Sequence, residues 1–298
     1  MSFSFLPRWK FTESCGLPQA SGAIHFGSTY DGSHRRGCMI QTSLAKRFVL
    51  AAASGLVSCL LAATAGSAAE IKVLTSVALT SALNQVAPNF EQTTGNKLNI
   101  GYSLIADIRK RMLEGETADV IILSRPVMDE LDKQQKFASG SITNIASTPV
   151  ALTIRAGAPK PDISTVDALK RTLLDAKSIV YADPAKGGAS GVYIAHVVDR
   201  LGIADQLKSK TILVPGAQAP EVVAKGEAEI GVAQTSEIVP VAGAEVLGPL
   251  PGEFASTTLW TAAIGATTKV PEAAKSLIQF LTGPVAGPVF SAKGFQPG

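Results

Sequence analysis

Between residues 71 and 137, two different spacings of the apolar residues alternate along the chain. In short stretches they alternate with polar residues or form continuous runs, as strands do, and in longer stretches they recur every three or four residues, as in helices. Gly95 follows the first helical stretch, at the position where helices commonly end. The pattern predicts strands near 71–75, 96–103 and 119–124 and helices near 79–94, 104–118 and 126–137.

The same order of elements recurs after residue 142. The apolar run at 119–124 is typical of a parallel strand that is buried on both faces. Strands that alternate with helices over short loops indicate a parallel α/β sheet. The second part predicts strands near 148–157, 178–184, 210–216 and 255–265, a helix and a strand within 219–234, and helices near 165–176, 190–203, 270–283 and 284–295.

The first 69 residues have the features of a leader. Lys46 and Arg47 precede the apolar run 48–65, and Ser67 and Ala69 occupy the small-residue positions of a cleavage site. We therefore expect a signal peptide at about 39–69, with residues 1–38 a mis-assigned start. Two alternatives remain open, namely a membrane anchor of the same run and a lipoprotein whose modified residue is Cys59.

Removing the leader changes the available chemistry. All three cysteines lie in residues 1–69, which excludes disulfides and thiolate chemistry from the remainder, and His196 is the single histidine left. Six of the 27 Lys and Arg residues and two of the 24 Asp and Glu residues also lie there, so the remainder carries a net charge of about −1. That charge removes the electrostatic case for nucleic-acid binding. The mature length suits one large domain or two lobes.

Several strand-to-helix turns are rich in small and hydroxyl residues. They lie at 75–78, 102–103, 124–125 and 187–191. Ligands of parallel sheets bind beyond the carboxyl ends of the strands, and free N–H groups at helix starts favour anions. Ordinary helix capping explains any one turn, but four such turns favour a binding cleft. Ser103 and Ser190 are then expected to cap the helices that follow them.

The glycine-rich turn 187–191 does not fit an enzyme motif. A phosphate loop needs a Lys-Ser/Thr pair after the glycines, whereas Lys186 precedes them. A nucleophile elbow around Ser190 needs glycine at position 192, where Val192 stands. His196 lies too close to Ser190 on one helix to act as its base. One histidine without cysteine also provides no metal site. We therefore expect no catalytic activity, no metal and no cofactor.

Arg125 follows the buried strand directly, where its side chain could reach such a cleft. A guanidinium group can hold a carboxylate or another oxyanion with two parallel hydrogen bonds. A surface position beside Pro126 is the alternative.

The chain after residue 69 resembles bacterial extracytoplasmic solute-binding proteins, in particular the molybdate-binding branch that serves ABC importers. The resemblance rests on the order and spacing of IKVLTSVALTSALNQVAPNFEQTTG, EGETADVIILS, ADPAKGGASGVYIAHVVDRLGI, KGEAEIGVAQTSE and LIQFLTGPVAGPVFSAKGF. It implies a type II periplasmic-binding-protein fold of two lobes, each a mostly parallel sheet flanked by helices, joined by hinge strands. The lobes would be 70–148 plus 256–298, and 149–255.

The ligand residues of the molybdate branch are only partly present. Ala78 stands where that branch has a serine, with Ser76 two residues earlier, and the second turn, 103–106, is mostly apolar. Gln234 replaces a tyrosine, and Ser190 falls at a backbone contact. Cleft-facing Leu104, Ile105, Arg125 and Gln234 suit a small organic anion. The expected ligand-binding residues are Ser76, Val77, Ala78, Ser103, Arg125, Ala189, Ser190 and Gln234.

We therefore expect a monomeric periplasmic protein that captures a small anionic solute and delivers it to an ABC permease. Closure would be driven by contacts that the ligand makes to both lobes at once. Binding of molybdate or tungstate, a ligand-sensing role and an enzyme on the same fold are the alternatives.

Overall fold

Ten strands, ten α-helices and three short 3₁₀ helices (Val77–Leu79, Pro184–Lys186 and Gly252–Phe254) are present in residues 68–298, the part of the chain that the computed structural model describes. The strands are β1 (Glu70–Ser76), β2 (Lys97–Ser103), β3 (Val120–Ser124), β4 (Thr143–Arg155), β5 (Ile179–Ala182), β6 (Thr211–Val214), β7 (Ile230–Gln234), β8 (Ala244–Pro249), β9 (Thr257–Ile264) and β10 (Gln296–Pro297). The helices are α1 (Thr80–Thr94), α2 (Ile105–Leu113), α3 (Arg125–Lys133), α4 (Val166–Asp175), α5 (Ala189–Arg200), α6 (Ala204–Lys208), α7 (Ala219–Ala224), α8 (Thr235–Ile238), α9 (Pro271–Leu281) and α10 (Ala286–Ala292).

The strands form one mixed sheet in the order β2-β1-β3-β9-β4-β7-β5-β6, with β8 and β10 both paired to β4. At one end β2, β1 and β3 are parallel, and at the other end β7, β5 and β6 are parallel. Between them, β9 is antiparallel to both β3 and β4, and β4 is antiparallel to β7. The prediction of parallel sheets is therefore correct for each end, while the middle strands join the two ends by antiparallel pairing.

Two separate apolar cores lie on either side of this junction. The larger core draws on residues 71–146 and 260–295, and includes the fully buried Phe90 and Trp260. The second large core draws on residues 150–254. The strand β4 crosses from one to the other, since its residues 143–149 pair with β9 and its residues from 150 onward pair with β7 and β8. We refer to these two groups of residues as the first half and the second half.

Most predicted elements form where the sequence pattern placed them. β3 is buried along its whole length, and α1 ends at Gly95, which adopts the left-handed conformation with φ 76°. Of the two helices predicted near 270–283 and 284–295, α9 begins at Pro271, whereas α10 begins at Ala286, two residues after Pro284. None of the helices in residues 68–298 is long and apolar enough to cross a bilayer.

Both helix-capping predictions are wrong. The N-cap of α2 is Leu104, because Ser103 still pairs within β2 and its hydroxyl donates to Asp107 over 3.2 Å. The N-cap of α5 is Gly188, so Ser190 lies inside the first turn. Neither N-cap residue supplies a side-chain acceptor for the first backbone N–H groups of its helix. The expectations for the leader, Cys59 included, fall outside the described residues except for positions 68 and 69.

Candidate functional site

A cavity lies where the ends of β1 and β7 meet the first turns of α2 and α5. Its volume is about 20 Å³, which is room for roughly one water molecule. Both halves of the chain contribute to its walls. The lining residues are Ser76, Val77, Ala78, Leu104, Ile105, Ala182, Gly188, Ala189, Ser190, Gly216, Gln234, Glu237 and Trp260.

Most residues that the sequence predicted as ligand contacts meet in this cavity. Those lining it are Ser76, Val77, Ala78, Ala189, Ser190 and Gln234, together with the two apolar residues Leu104 and Ile105. The structure does not bring Ser103 or Arg125 into the lining. Arg125 is the first residue of α3, where its Nε lies 2.7 Å from Oδ1 of Asp129 one turn along the helix, and its side chain is 45% exposed. In this structure Arg125 therefore lies at the surface, which was the alternative to a position in the cleft.

In the first half, the wall is built by the end of β1 and the start of α2. Ser76 is buried, and its Oγ accepts a hydrogen bond from the backbone N–H of Ala78 at 3.3 Å. This leaves the hydroxyl proton of Ser76 available to a ligand, since a serine oxygen accepts and donates at once. Leu104 and Ile105 place the uncapped first turn of α2 at the same wall.

In the second half, glycines allow the loop after β5 to turn tightly into α5. Gly187 adopts a left-handed conformation with φ 73°, which an L-residue rarely tolerates. Gly191 lies so close to the carbonyl group of Ala182 that any side chain would collide with it. The first turn of α5 therefore packs directly on the end of β5. This packing brings Ala189 and the buried Ser190 to the cavity wall.

Gln234 connects the cavity to the strands that join the two halves. Its Oε1 accepts from the hydroxyl of Thr148 at 2.8 Å, and its Nε2 donates to Oγ1 of Thr258 at 2.9 Å. The Nε1 of Trp260 in turn donates to Oγ1 of Thr148 at 2.9 Å. These bonds fix the side chain of Gln234 from behind, which leaves one amide N–H of Gln234 for a ligand.

Glu237 is a cavity residue that the sequence analysis missed. It is the third residue of α8, and its Oε2 accepts the backbone N–H of Gln234 at 3.0 Å while the side chain of Gln234 caps the helix in return. Burial raises the pKa of the Glu237 carboxyl to about 7. A glutamate three residues after a strand-end residue with a polar side chain is the sequence signal of such a capping box. The stretch Gln234–Glu237 carries that signal.

Two contacts hold the halves together at the mouth of the cavity. A methyl group added at Gly187 would overlap the side chain of Ala106 on α2, so these two residues already touch. A methyl group added at Gly216, in the loop after β6, would lie 4.0 Å from the side chain of Leu104, so these two residues are neighbours across the cavity wall. The two halves thus meet beside the cavity as well as through β4 and β9.

Comparison with known proteins identifies relatives along most of the described chain. The profile of the family described as bacterial extracellular solute-binding protein matches residues 71–296. An aconitate isomerase from Pseudomonas sp is 33% identical over 233 residues, covering 76% of this chain and 87% of that protein. The molybdate-binding protein ModA of Azotobacter vinelandii is 28% identical over 257 residues, covering 84% of this chain and 96% of that protein.

The architecture is also that of a solved binding protein. The periplasmic molybdate-binding protein of Azotobacter vinelandii superposes with a TM-score of 0.63 at 20% identity, covering 76% of this chain and 98% of that one. This likeness confirms the expected α/β fold of the type II periplasmic binding proteins. The profile match and the relatives together establish the family, and the chain belongs to the bacterial extracellular solute-binding proteins.

Proposed function

We propose that the protein captures a small organic polycarboxylate, of the size and charge of aconitate, in the cavity between its two halves. The observation that carries the proposal is the composition of the cavity wall. It joins a few hydrogen-bond donors from both halves to an apolar surface and one carboxyl group of raised pKa.

The donors suit carboxylate groups. No Lys, Arg or His is present among the described residues that line the cavity, so an anion would be held by hydroxyl and amide groups. Ser76 and Ser190 each offer a hydroxyl, from opposite halves. The uncapped first turns of α2 and α5 add backbone N–H groups at the positive ends of two helices of nine and twelve residues.

The rest of the wall favours an organic ligand over a bare oxyanion. Leu104, Ile105 and Trp260 offer carbon surface, which a tetrahedral metal oxyanion does not use. The carboxyl of Glu237, when protonated, can donate a hydrogen bond to a ligand carboxylate. A relative that is named for aconitate and is 33% identical supports the same class of ligand.

Binding requires the halves to separate first. A cavity of about 20 Å³ cannot admit a molecule with a dozen non-hydrogen atoms. The contacts at Gly187 and Gly216 would therefore open, the ligand would enter, and the halves would close on it. A ligand favours the closed state only through interactions that the open state lacks, which donors from both halves provide.

The wider role that we propose follows the sequence analysis. Residues 39–69 would direct export to the periplasm, the lobes would be 70–148 plus 256–298 and 149–255, and a monomer would deliver its ligand to an ABC permease. The relation to ModA, whose name states that it binds molybdate, supports oxyanion binding as the alternative ligand class.

A second function is isomerisation of the captured acid. The expectation of no catalytic activity rested on the lack of an acid–base group in the cleft, and Glu237 supplies one. The relative that is named as an aconitate isomerase specifically supports isomerisation as a second function. Capture and isomerisation are compatible, because both need the same closed cavity.

A thermal-shift screen of the purified protein tests the ligand class. We expect cis-aconitate, trans-aconitate or a related tricarboxylate to raise the Tm, since ligand at a hundred times its Kd stabilises by about 2.7 kcal/mol. Molybdate, tungstate and sulfate serve as the comparison set. Stabilisation by these oxyanions alone would contradict the proposal and support the alternative.

A further inference from the structure

We propose that Glu237 is the acid–base group of a 1,3-proton transfer that moves the double bond of an unsaturated polycarboxylate bound in the cavity. This inference rests on the proposed ligand class and adds the reaction and the residue. Its geometric basis is the position of Glu237 in the wall of the cavity, which Leu104 and Ile105 of the other half also line.

Glu237 is the one ionisable side chain among the described residues that line the cavity. The remaining polar side chains there belong to Ser76, Ser190, Gln234 and Trp260, and none of these removes a proton from carbon near neutral pH without a partner base. Proton transfer within this cavity would therefore fall to a single carboxyl group.

The carboxyl is held on one side and open on the other. Oε2 accepts the backbone N–H of Gln234, which fixes the plane of the group. Oε1 has no hydrogen-bond partner within residues 68–298. The free oxygen is thus available to a ligand, while the capping box prevents the side chain from swinging away.

No charged neighbour controls this carboxyl. The turn at Gly294, next to Lys293, accepts a hydrogen bond from Thr235 of α8, and the other elements packed on α8, namely β4, β7, β8 and the short helix 77–79, carry the charged residues Arg155 and Glu245. Both lie at the far end of their strands, since β4 pairs with Gln234 at Val150 and with residues 244–245 at Ile154 and Arg155. Glu245 is also paired with Lys160. Burial is the main cause of the raised pKa of Glu237, and the proton can leave and return near pH 7.

The reaction balances with Glu237 alone. The ionised carboxyl takes a proton from the methylene carbon beside the double bond, and the C–H electron pair becomes the new C=C bond. The old π pair takes up the same proton at the far alkene carbon, which returns Glu237 to its ionised form. The skeleton of aconitate reads the same from both ends, so the shift yields aconitate again, in the cis or trans form that the bound conformation sets.

The cavity also provides for the charge that develops during the transfer. Negative charge moves onto a ligand carboxylate when the C–H bond breaks, and donors fixed in a dry site stabilise such charge strongly. The hydroxyls of Ser76 and Ser190 and the first turn of α5 are placed to supply them. One base can serve both carbons when they lie on the same face of the ligand.

Proton NMR of cis-aconitate in D2O buffer tests the inference on the purified full chain. We expect the wild type to form trans-aconitate, with deuterium entering the product only to the extent that the proton on Glu237 exchanges with solvent before its return. Glu237→Gln keeps the oxygen that caps α8, so it should fold and bind, yet its rate should fall at least about 100-fold, the lower end of general acid–base contributions. Glu237→Asp retains a carboxyl and should recover part of the rate. Glu221→Gln, an exposed position on α7, should match the wild type.

Calorimetric titration of the same samples separates the two proposals. A wild type that binds aconitate but neither isomerises nor exchanges it overturns the acid–base role and leaves the capture function intact. A Glu237→Gln variant with the wild-type rate overturns the role as well. A wild type that does not bind aconitate removes the proposed function and this inference together.

Discussion

Glu237 combines two roles in one side chain. Its Oε2 satisfies a backbone N–H at the start of α8, which is a structural requirement, and the same placement partly buries the carboxyl beside the cavity. A glutamate in a capping box is commonly exposed and ionised. Here burial raises its pKa to about 7, so the group is partly protonated at neutral pH.

This raised pKa predicts how stability depends on pH. The folded chain binds the Glu237 proton more tightly than the unfolded chain, whose glutamate has a pKa near 4.5, so this contribution to stability is complete below about pH 4.5 and is lost as the pH rises to about 7. The loss is of the order of 3 kcal/mol at pH 8. Glu237→Gln cannot ionise, and we expect it to exceed the wild type in free energy of unfolding at pH 8 and to equal it near pH 4.

Denaturant unfolding at the two pH values measures this difference. Glu221→Gln, which changes a carboxyl on the surface, is the matched control and should show no such crossover. An equal difference between Glu237→Gln and the wild type at both pH values would show that the carboxyl is not held protonated by the fold.

At the scale of elements, the order of strands and helices could be predicted from the sequence, while their ends could not. The spacing of apolar residues predicted β1, α1, β2 and β3, because an element that is buried on one or both faces carries apolar residues at regular positions. The starts of α2 and α5 depend instead on whether Ser103 and Gly188 continue a strand or turn, which tertiary packing decides. The prediction for Arg125 depended on side-chain direction, which periodicity does not carry.

The turn between β5 and α5 predicts a variant that binds poorly while folding normally. In Gly187→Ala the new methyl group overlaps Ala106 across the mouth of the cavity, so the closed state is disfavoured. We expect the affinity for the ligand to fall at least about tenfold, which corresponds to roughly 1.4 kcal/mol. Isothermal titration measures this change.

Gly202→Ala is the matched control for Gly187→Ala. Gly202 has a similar left-handed φ of 66°, but nothing lies within 4 Å of its added methyl group. Both variants therefore share the backbone strain, and the loss of affinity should be confined to Gly187→Ala. Equal affinities in the two variants would mean that the contact with Ala106 does not control closure.

At the scale of the whole molecule, the apolar pattern predicted two α/β units, and only the resemblance to binding proteins implied hinge strands between them. The antiparallel path through β9 and β4 involves pairings more than a hundred residues apart in sequence, such as Ser147 with Leu259. Such long-range pairings cannot be inferred from the local order of apolar and polar residues. The cavity is a product of this connection, since it brings the ends of β1 and β7 together.

The hydrogen bonds across this connection predict a loss of stability. Thr148→Val removes the acceptor of the buried Trp260 Nε1 and the donor to Gln234 Oε1. A buried donor without a partner costs about 1–3 kcal/mol, which we expect as the decrease in free energy of unfolding. Thr257→Val, at an exposed position on β9, is the control and should change stability little. A Thr148→Val variant as stable as the wild type would contradict the role of this network.

Calorimetric titration of the full chain with trans-aconitate at pH 7, beside the same titration of Ser76→Ala and Ser190→Ala, tests capture in this cavity most directly. We expect one binding site in the wild type and a loss of about 10- to 100-fold in affinity for each variant, because a hydrogen bond to a charged group is worth about 1.5–3 kcal/mol. Ser76 lies in the first half and Ser190 in the second, so capture between the halves requires that each substitution weakens the affinity. Heat from molybdate but not from any polycarboxylate, or wild-type affinity in either serine variant, would contradict capture of a polycarboxylate between the two halves.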